Sequence, residues 1–261
     1  MKDGNAKKIL HIVIVLVIVA LLVLLGIKLI GKKGEKEVTG EKKETVEKLV
    51  NTYFTNMTTG MGTAFGGTDV LFSKTDKQTV KDFNDVYILN IAFSYVVNEG
   101  KGYVGEDLNA YVKRHYEYTD FTALQGKEVR AAIKKLFGID FKDASAELFN
   151  FDYNFVYDED NDIYIRRFVG TANERTTDYL VYAKALKTVE KDKNLEVEVV
   201  VAYVYGANKY YSFTKDRNFK NVVFDSEKYE MKDDKVNEFD HYVVTLKKDG
   251  DNYVFESIQK K

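Results

Sequence analysis

In "FVYDEDNDIYIRRF", residues 155–168, four acids fall within five positions: Asp158, Glu159, Asp160 and Asp162. Carboxylates this dense could hold a hard cation or do acid–base work. The spacing Asp158, Asp160, Asp162 matches the first three ligands of an EF-hand calcium loop. The match ends there, because the sixth position is Ile163 where the turn needs Gly, and the twelfth is Val169 where a bidentate Glu belongs. Asp and Asn suit turns, so the stretch is expected to be a solvated hairpin tip with no metal.

Three histidines are the other candidates for chemistry: His11, His115 and His241. None stands in a spaced metal motif, and no Gly-x-Ser-x-Gly elbow supports a triad. Asp240 and His241 are adjacent, but neighbouring strand residues point to opposite faces, which argues against their acting together. No catalytic residue is assigned. With no Cys in the chain, thiol catalysis, disulfides and Cys-based zinc sites are excluded, and no cofactor is expected. The glycines of "TTGMGTAFGGTD", residues 58–69, lack the preceding strand and the Lys of a phosphate-cradling loop.

The best candidate for ligand binding is "ANKYYSFTKDRNF", residues 207–219. There Tyr210, Tyr211 and Arg217 sit beside Lys209 and Lys215, an arrangement that could receive a glycan or a partner protein. In a strand the two tyrosines face opposite ways.

These residues must be positioned by a chain with a marked asymmetry. "ILHIVIVLVIVALLVLLGIKLI", residues 9–30, holds 22 residues whose only ionisable groups, His11 and Lys28, lie near its ends. A helix of that length spans about 33 Å, enough for a hydrocarbon core of about 30 Å. No small-x-small cleavage site follows, so an uncleaved single-pass anchor is expected rather than a signal peptide. Lysines flank both ends, so the positive-inside rule does not decide the orientation. A short charged tail at the head of a signal anchor usually stays inside. The large domain is therefore expected outside the cell membrane.

The rest of the chain is mildly acidic, which gives no reason to expect nucleic acid as a partner. Membrane lipid around residues 9–30 and envelope proteins are the partners expected. The absence of Pro and the excess of Lys over Arg fit an AT-rich coding sequence, as in a low-GC Gram-positive-type bacterium.

The organisation expected is a tail (1–8), the transmembrane helix (9–30), a charged juxtamembrane linker (31–42), a helical segment (43–145) and an antiparallel β-rich segment (146–261). Val46, Leu49, Val50, Tyr53, Phe54 and Met57 share one helical face. A capping box at Thr75 and Gln78 predicts a helix to about Asn98. Leu108, Tyr111, Val112 and His115 share another face. A further helix, residues 127–137, should stop at Gly138. From residue 147 the period changes to two. In residues 195–205, Leu195, Val197, Val199, Val201, Tyr203 and Tyr205 fall on one face. The chain closes on two alternating runs around Asp249–Gly250, a hairpin signal. The fold class is α+β, with helices packed on a curved antiparallel sheet of about six strands, and 43–261 as one unit.

The motifs "VRAAIKKLFG" and "YVVTLKKDGDNYVFESI", a helix stop and a terminal hairpin, resemble the cystatin-like cone of the nuclear transport factor 2-like superfamily. With the anchor, the chain is also similar to membrane-anchored scaffold proteins of type IV secretion systems and to uncharacterised membrane proteins of low-GC Gram-positive bacteria. The uncleaved anchor and the lack of any chemical motif lead to the expectation of a non-catalytic scaffold or interaction module of the cell envelope. Two alternatives follow from such a cone: a small-molecule or glycan-binding sensor, and a pocket enzyme. The inward Phe, Tyr and Val of the strands more simply fill a core. The resemblance identifies no functional residue.

Overall fold

The computed structural model describes residues 36–54, 76–148, 153–169, 180–207, 210–216 and 220–261. The apolar stretch 9–30, the glycine-rich stretch 58–69, Met57, Thr75 and Arg217 lie outside the described residues. Among the described residues, no helix is long and apolar enough to cross a membrane.

The elements run β1 (Lys36–Glu37), α1 (Glu41–Phe54), β2 (Gln78–Thr79), α2 (Asp85–Asn98), α3 (Glu106–His115), β3 (Phe121–Gln125) and α4 (Gly126–Phe137). Then come β4 (Tyr153–Asp158), β5 (Ile163–Phe168), β6 (Leu180–Lys191), β7 (Asn194–Ala207) and β8 (Tyr210–Thr214). The last strands are β9 (Val222–Ser226), β10 (Asp240–Asp249) and β11 (Asn252–Lys260). The class is α+β, as expected.

The strand count and grouping differ from expectation. The main antiparallel sheet has eight strands, in the order β1-β6-β7-β10-β11-β2, with β8 on the outer half of β7 and β9 beyond it. A separate three-stranded sheet has the order β3-β5-β4. The acidic hairpin β4–β5 therefore belongs to the small sheet and does not open the large one. Its third strand, "FTALQ", lies inside the segment expected to be helical, and its pairing partner β5 comes some forty residues later.

The linker also ends earlier than expected, since Lys36 and Glu37 pair with Glu190 and Val189 of β6. Nor does a helix start at the 75–78 box. Gln78 pairs with Ile258, and α2 begins at Asp85, where the Asn84 side chain accepts a 2.9 Å hydrogen bond from the Val86 N–H.

Three helices and the main sheet share one core. Val46, Val50, Tyr53 and Phe54 of α1, most of α2, and Val129, Ile133 and Leu136 of α4 pack on Leu195, Val197, Val199, Val244 and Phe255. Helix α2, "DVYILNIAFSYVVN", is apolar nearly all round, as suits a helix enclosed on most sides. Helix α4 is amphipathic. Glu128 lies in its first turn and Lys134 and Lys135 in its last, complementing the helix dipole. It ends at Gly138 in the left-handed conformation, as expected (φ 68°).

Strand β7 is buried on both faces. Leu195, Val197, Val199 and Val201 meet the helices, while Val200, Ala202 and Val204 meet Phe213, Phe224, Met231 and Phe239. Tyr205, on the same face as Leu195, Val197 and Val199, is 36 % exposed. The uninterrupted apolar run Val199–Val204 is the sequence mark of a strand covered twice. Strands β6 and β7 are joined at Asp192–Lys193, both with positive φ (49° and 72°), the pattern of a type I′ hairpin turn.

Candidate functional site

A cleft of about 660 Å³ opens between α1, the C-terminal end of α2, the end of α4 and the β10–β11 turn. One stripe of α1 faces it, Lys42, Thr45, Leu49 and Thr52, at the spacing that puts side chains on one helical face. Val46 and Leu136, both buried, form its floor.

Two lysine–tyrosine pairs line its walls. The Lys42 ammonium lies 5.3 Å from the centre of the Tyr253 ring and donates to Glu190 at 2.8 Å. That hydrogen bond raises the Lys42 pKa and holds the Glu190 carboxyl below its ordinary value. The Lys135 ammonium lies 5.1 Å from the Tyr95 ring centre and donates to the Tyr95 hydroxyl at 2.7 Å. Lys48, on the rim and exposed, makes no ion pair among the described residues. Glu41, Glu99 and Asp251 place negative charge on the same rim. An apolar floor with separated charges of both signs can hold an amphipathic ligand and orient it.

The candidates read from sequence lie elsewhere. Tyr210 is 56 % exposed on β8. Tyr211 faces the other way and is half-buried, its ring 5.4 Å from that of Tyr229 and against Gly206. The structure thus separates the two tyrosines. Arg217 lies outside the described residues. The ring that shares a face with Tyr210 is Tyr205, because Tyr205 pairs with Ser212 and Ala207 with Tyr210. On that face the Ser212 hydroxyl donates to Asp225 at 2.6 Å.

Comparison of the chain with protein-family models, with curated proteins and with solved structures returns no match.

His11 lies outside the described residues, and the other two histidines share no site. His115 is exposed and stacks on Tyr111, 5.0 Å between ring centres. The Asp240 carboxylate accepts from Lys260 at 2.6 Å, whereas His241 Nδ1 lies 2.9 Å from Glu198 Oε1 and its Nε2 lies 3.1 Å from the Val236 carbonyl. The adjacent pair does point to opposite sides. Lys261 also donates to Glu198 at 2.7 Å, and the hydrogen bonds from Lys261 and His241 hold the Glu198 carboxyl below its ordinary range.

The acids of the hairpin are not uniformly solvated. Asp158 is buried and accepts from the Tyr116 hydroxyl at 3.0 Å and the Asn161 N–H at 3.1 Å. Burial works against its charge, but these hydrogen bonds outweigh it and lower its pKa. Asp162 takes two hydrogen bonds from Arg130, which lower its pKa. Glu159 and Asp160 are exposed. Among the described residues no group of three or more potential ligands could hold a metal ion.

The cleft was not legible in the sequence. Its α1 stripe is a solvated helix face when read alone, and the opposite wall comes from residues 95–99, 135–136 and 251–253. The one available signal was the pair of threonines and Leu49 on the face of α1 beside the core stripe.

Proposed function

We propose that the protein is a membrane-tethered, non-catalytic binding module of the cell envelope, and that the cleft beside α1 is its seat for a partner protein segment. The observation that carries this reading is the composition of the cleft: an apolar floor, two lysines braced on tyrosine rings, and acids along the rim. Such a surface fits a peptide with an apolar centre and charges of both signs at its ends.

The cleft begins at Glu41, eleven residues after Ile30, the last residue of the apolar stretch. Even a fully extended connection of that length reaches only about 40 Å. A segment bound there is therefore held close to the bilayer, which suits a scaffold for other membrane-associated proteins. Protease treatment of intact cells or spheroplasts tests the topology. Digestion of residues 40–261 is expected, and their full protection while the cell stays intact would contradict it.

A second reading rests on the other exposed aromatic face. Tyr205 and Tyr210 flank the Ser212–Asp225 pair, an arrangement suited to stacking on a sugar ring with polar groups beside it. Thermal shift of the full chain against a glycan library separates the readings. A glycan-dependent rise that Tyr210→Ala abolishes favours this face.

A further inference from the structure

Arg166, on β5, is 6 % exposed. Its guanidinium is enclosed by two rings, with the Phe93 and Tyr153 ring centres each 4.8 Å away. Among the described residues its one hydrogen bond goes from NH1 to the Ser94 hydroxyl at 3.2 Å, and no carboxylate lies within ion-pair distance. Among the described residues Arg130, by contrast, is met by two carboxylates, Asp162 and Asp143.

A guanidinium has five N–H donors and keeps its proton under any physiological condition. Burying that charge is costly unless it is paired, and a single neutral hydroxyl does not compensate for it. The two rings cover the faces of the plane, where cation–π contact is favourable. They leave the in-plane edge, which is the edge that matches a planar two-oxygen anion.

One further group points the same way: Ser94 takes the Arg166 hydrogen bond on its oxygen, which leaves its own O–H to donate.

We infer that Arg166, with Ser94, is the receptor for a single carboxylate group of a bound ligand. One positive charge between two rings balances one negative charge and favours a monocarboxylate with an apolar or aromatic body over a dianionic phosphate. The carboxylate comes from a free organic acid or from the C-terminus of a peptide. The site is distinct from the cleft beside α1 and does not depend on it.

Melting of the full chain in detergent tests this at constant ionic strength with sodium chloride, inorganic phosphate, acetate, benzoate, and one short peptide with a free or an amidated C-terminus. The melting temperature should rise with benzoate or with the free-ended peptide, and not with chloride, phosphate or the amidated peptide. The arm that responds identifies the source. Arg166→Met, close in volume and without charge, should melt at or above the wild-type temperature and lose the response. Ser94→Ala should keep the fold and need several-fold more carboxylate for the same rise. No carboxylate-dependent rise, an equal rise with phosphate or chloride, or an undiminished rise in Arg166→Met or Ser94→Ala would overturn the assignment.

Discussion

Arg130 on α4 and Asp162 at the end of the acidic hairpin are joined by two parallel hydrogen bonds, 2.7 Å from NH1 and 2.9 Å from NH2. The same NH1 reaches Asp143 at 2.9 Å, and the Tyr157 hydroxyl donates to Asp162 at 3.0 Å. Helix, loop and small sheet are fastened at one point. Of the acids that look most like a metal site in the sequence, Asp162 is committed to this junction.

Asp162→Asn should therefore lower stability, and by more than an ordinary surface pair would. Both side chains are part-exposed, so solvent screening limits the loss to about 1–2 kcal/mol. Urea unfolding of the full chain in detergent measures it. A loss indistinguishable from zero would mean that the two-pronged contact is not kept in solution.

The same substitution carries a pH signature. Arg130 and Tyr157 lower the Asp162 pKa in the folded protein. The stabilisation is therefore complete above the ordinary Asp value of about 3.9 and is lost as pH falls through the lower folded value. The wild-type-minus-variant difference should be flat from pH 7 to about 5 and shrink below about 4. A difference that grows on acidification would contradict this sign.

Gly126 starts α4 directly beneath this carboxylate, its N–H donating to the Asp162 carbonyl at 2.7 Å. A methyl group at 126 would collide with Asp162 Oδ1 and press on Arg130. Gly126→Ala should cost about 1–3 kcal/mol, as overpacking does. Combined with Asp162→Ala, the two losses should sum to less than their separate values, because one clash is removed. Additive losses would show that the contact is relieved elsewhere.

Tyr53 caps the far end of the same helix. Its hydroxyl donates to the Leu136 carbonyl at 2.5 Å, one of the last-turn carbonyls that α4 cannot satisfy itself. Complete burial pushes the phenol pKa far up, so it stays protonated and donating throughout the working pH range. Tyr53→Phe keeps the ring contacts with Phe137 and Phe255 and should cost about 1 kcal/mol. A stabilised Tyr53→Phe protein would mean that water can replace the hydroxyl.

Parts of this architecture could be read from the chain and parts could not, for identifiable reasons. Helix α4 and its Gly138 stop, a strand over residues 195–205, and the terminal Asp249–Gly250 hairpin depend on local period and turn chemistry, and all three appear as expected. The start of α2 was misplaced because a Thr-x-x-Gln box resembles a cap, while the working cap is Asn84. Strand β3 was missed because five residues of moderate β-propensity become a strand only through pairing with β5. The second face of β7 was present as the apolar run Val199–Val204, but its cover, Phe213 and Phe224, comes from two short later strands. The cleft and the Ser94 and Phe93 contacts of Arg166 join residues far apart in the chain, which no local pattern encodes.

The central claim, that the cleft beside α1 holds a protein segment at the membrane, is most directly tested by site-specific photo-crosslinking of the full chain in its native membranes. A benzophenone side chain would replace Thr52 in the cleft and, as a control, Lys113 on α3. The account predicts a discrete adduct from position 52 and none from 113, abolished by Leu49→Asp on the cleft face and weakened by Lys48→Glu on the rim. Lys48→Glu should leave stability within about 0.5 kcal/mol, as surface changes do. Adducts equal at both positions, or an adduct from position 52 that survives Leu49→Asp, would contradict it.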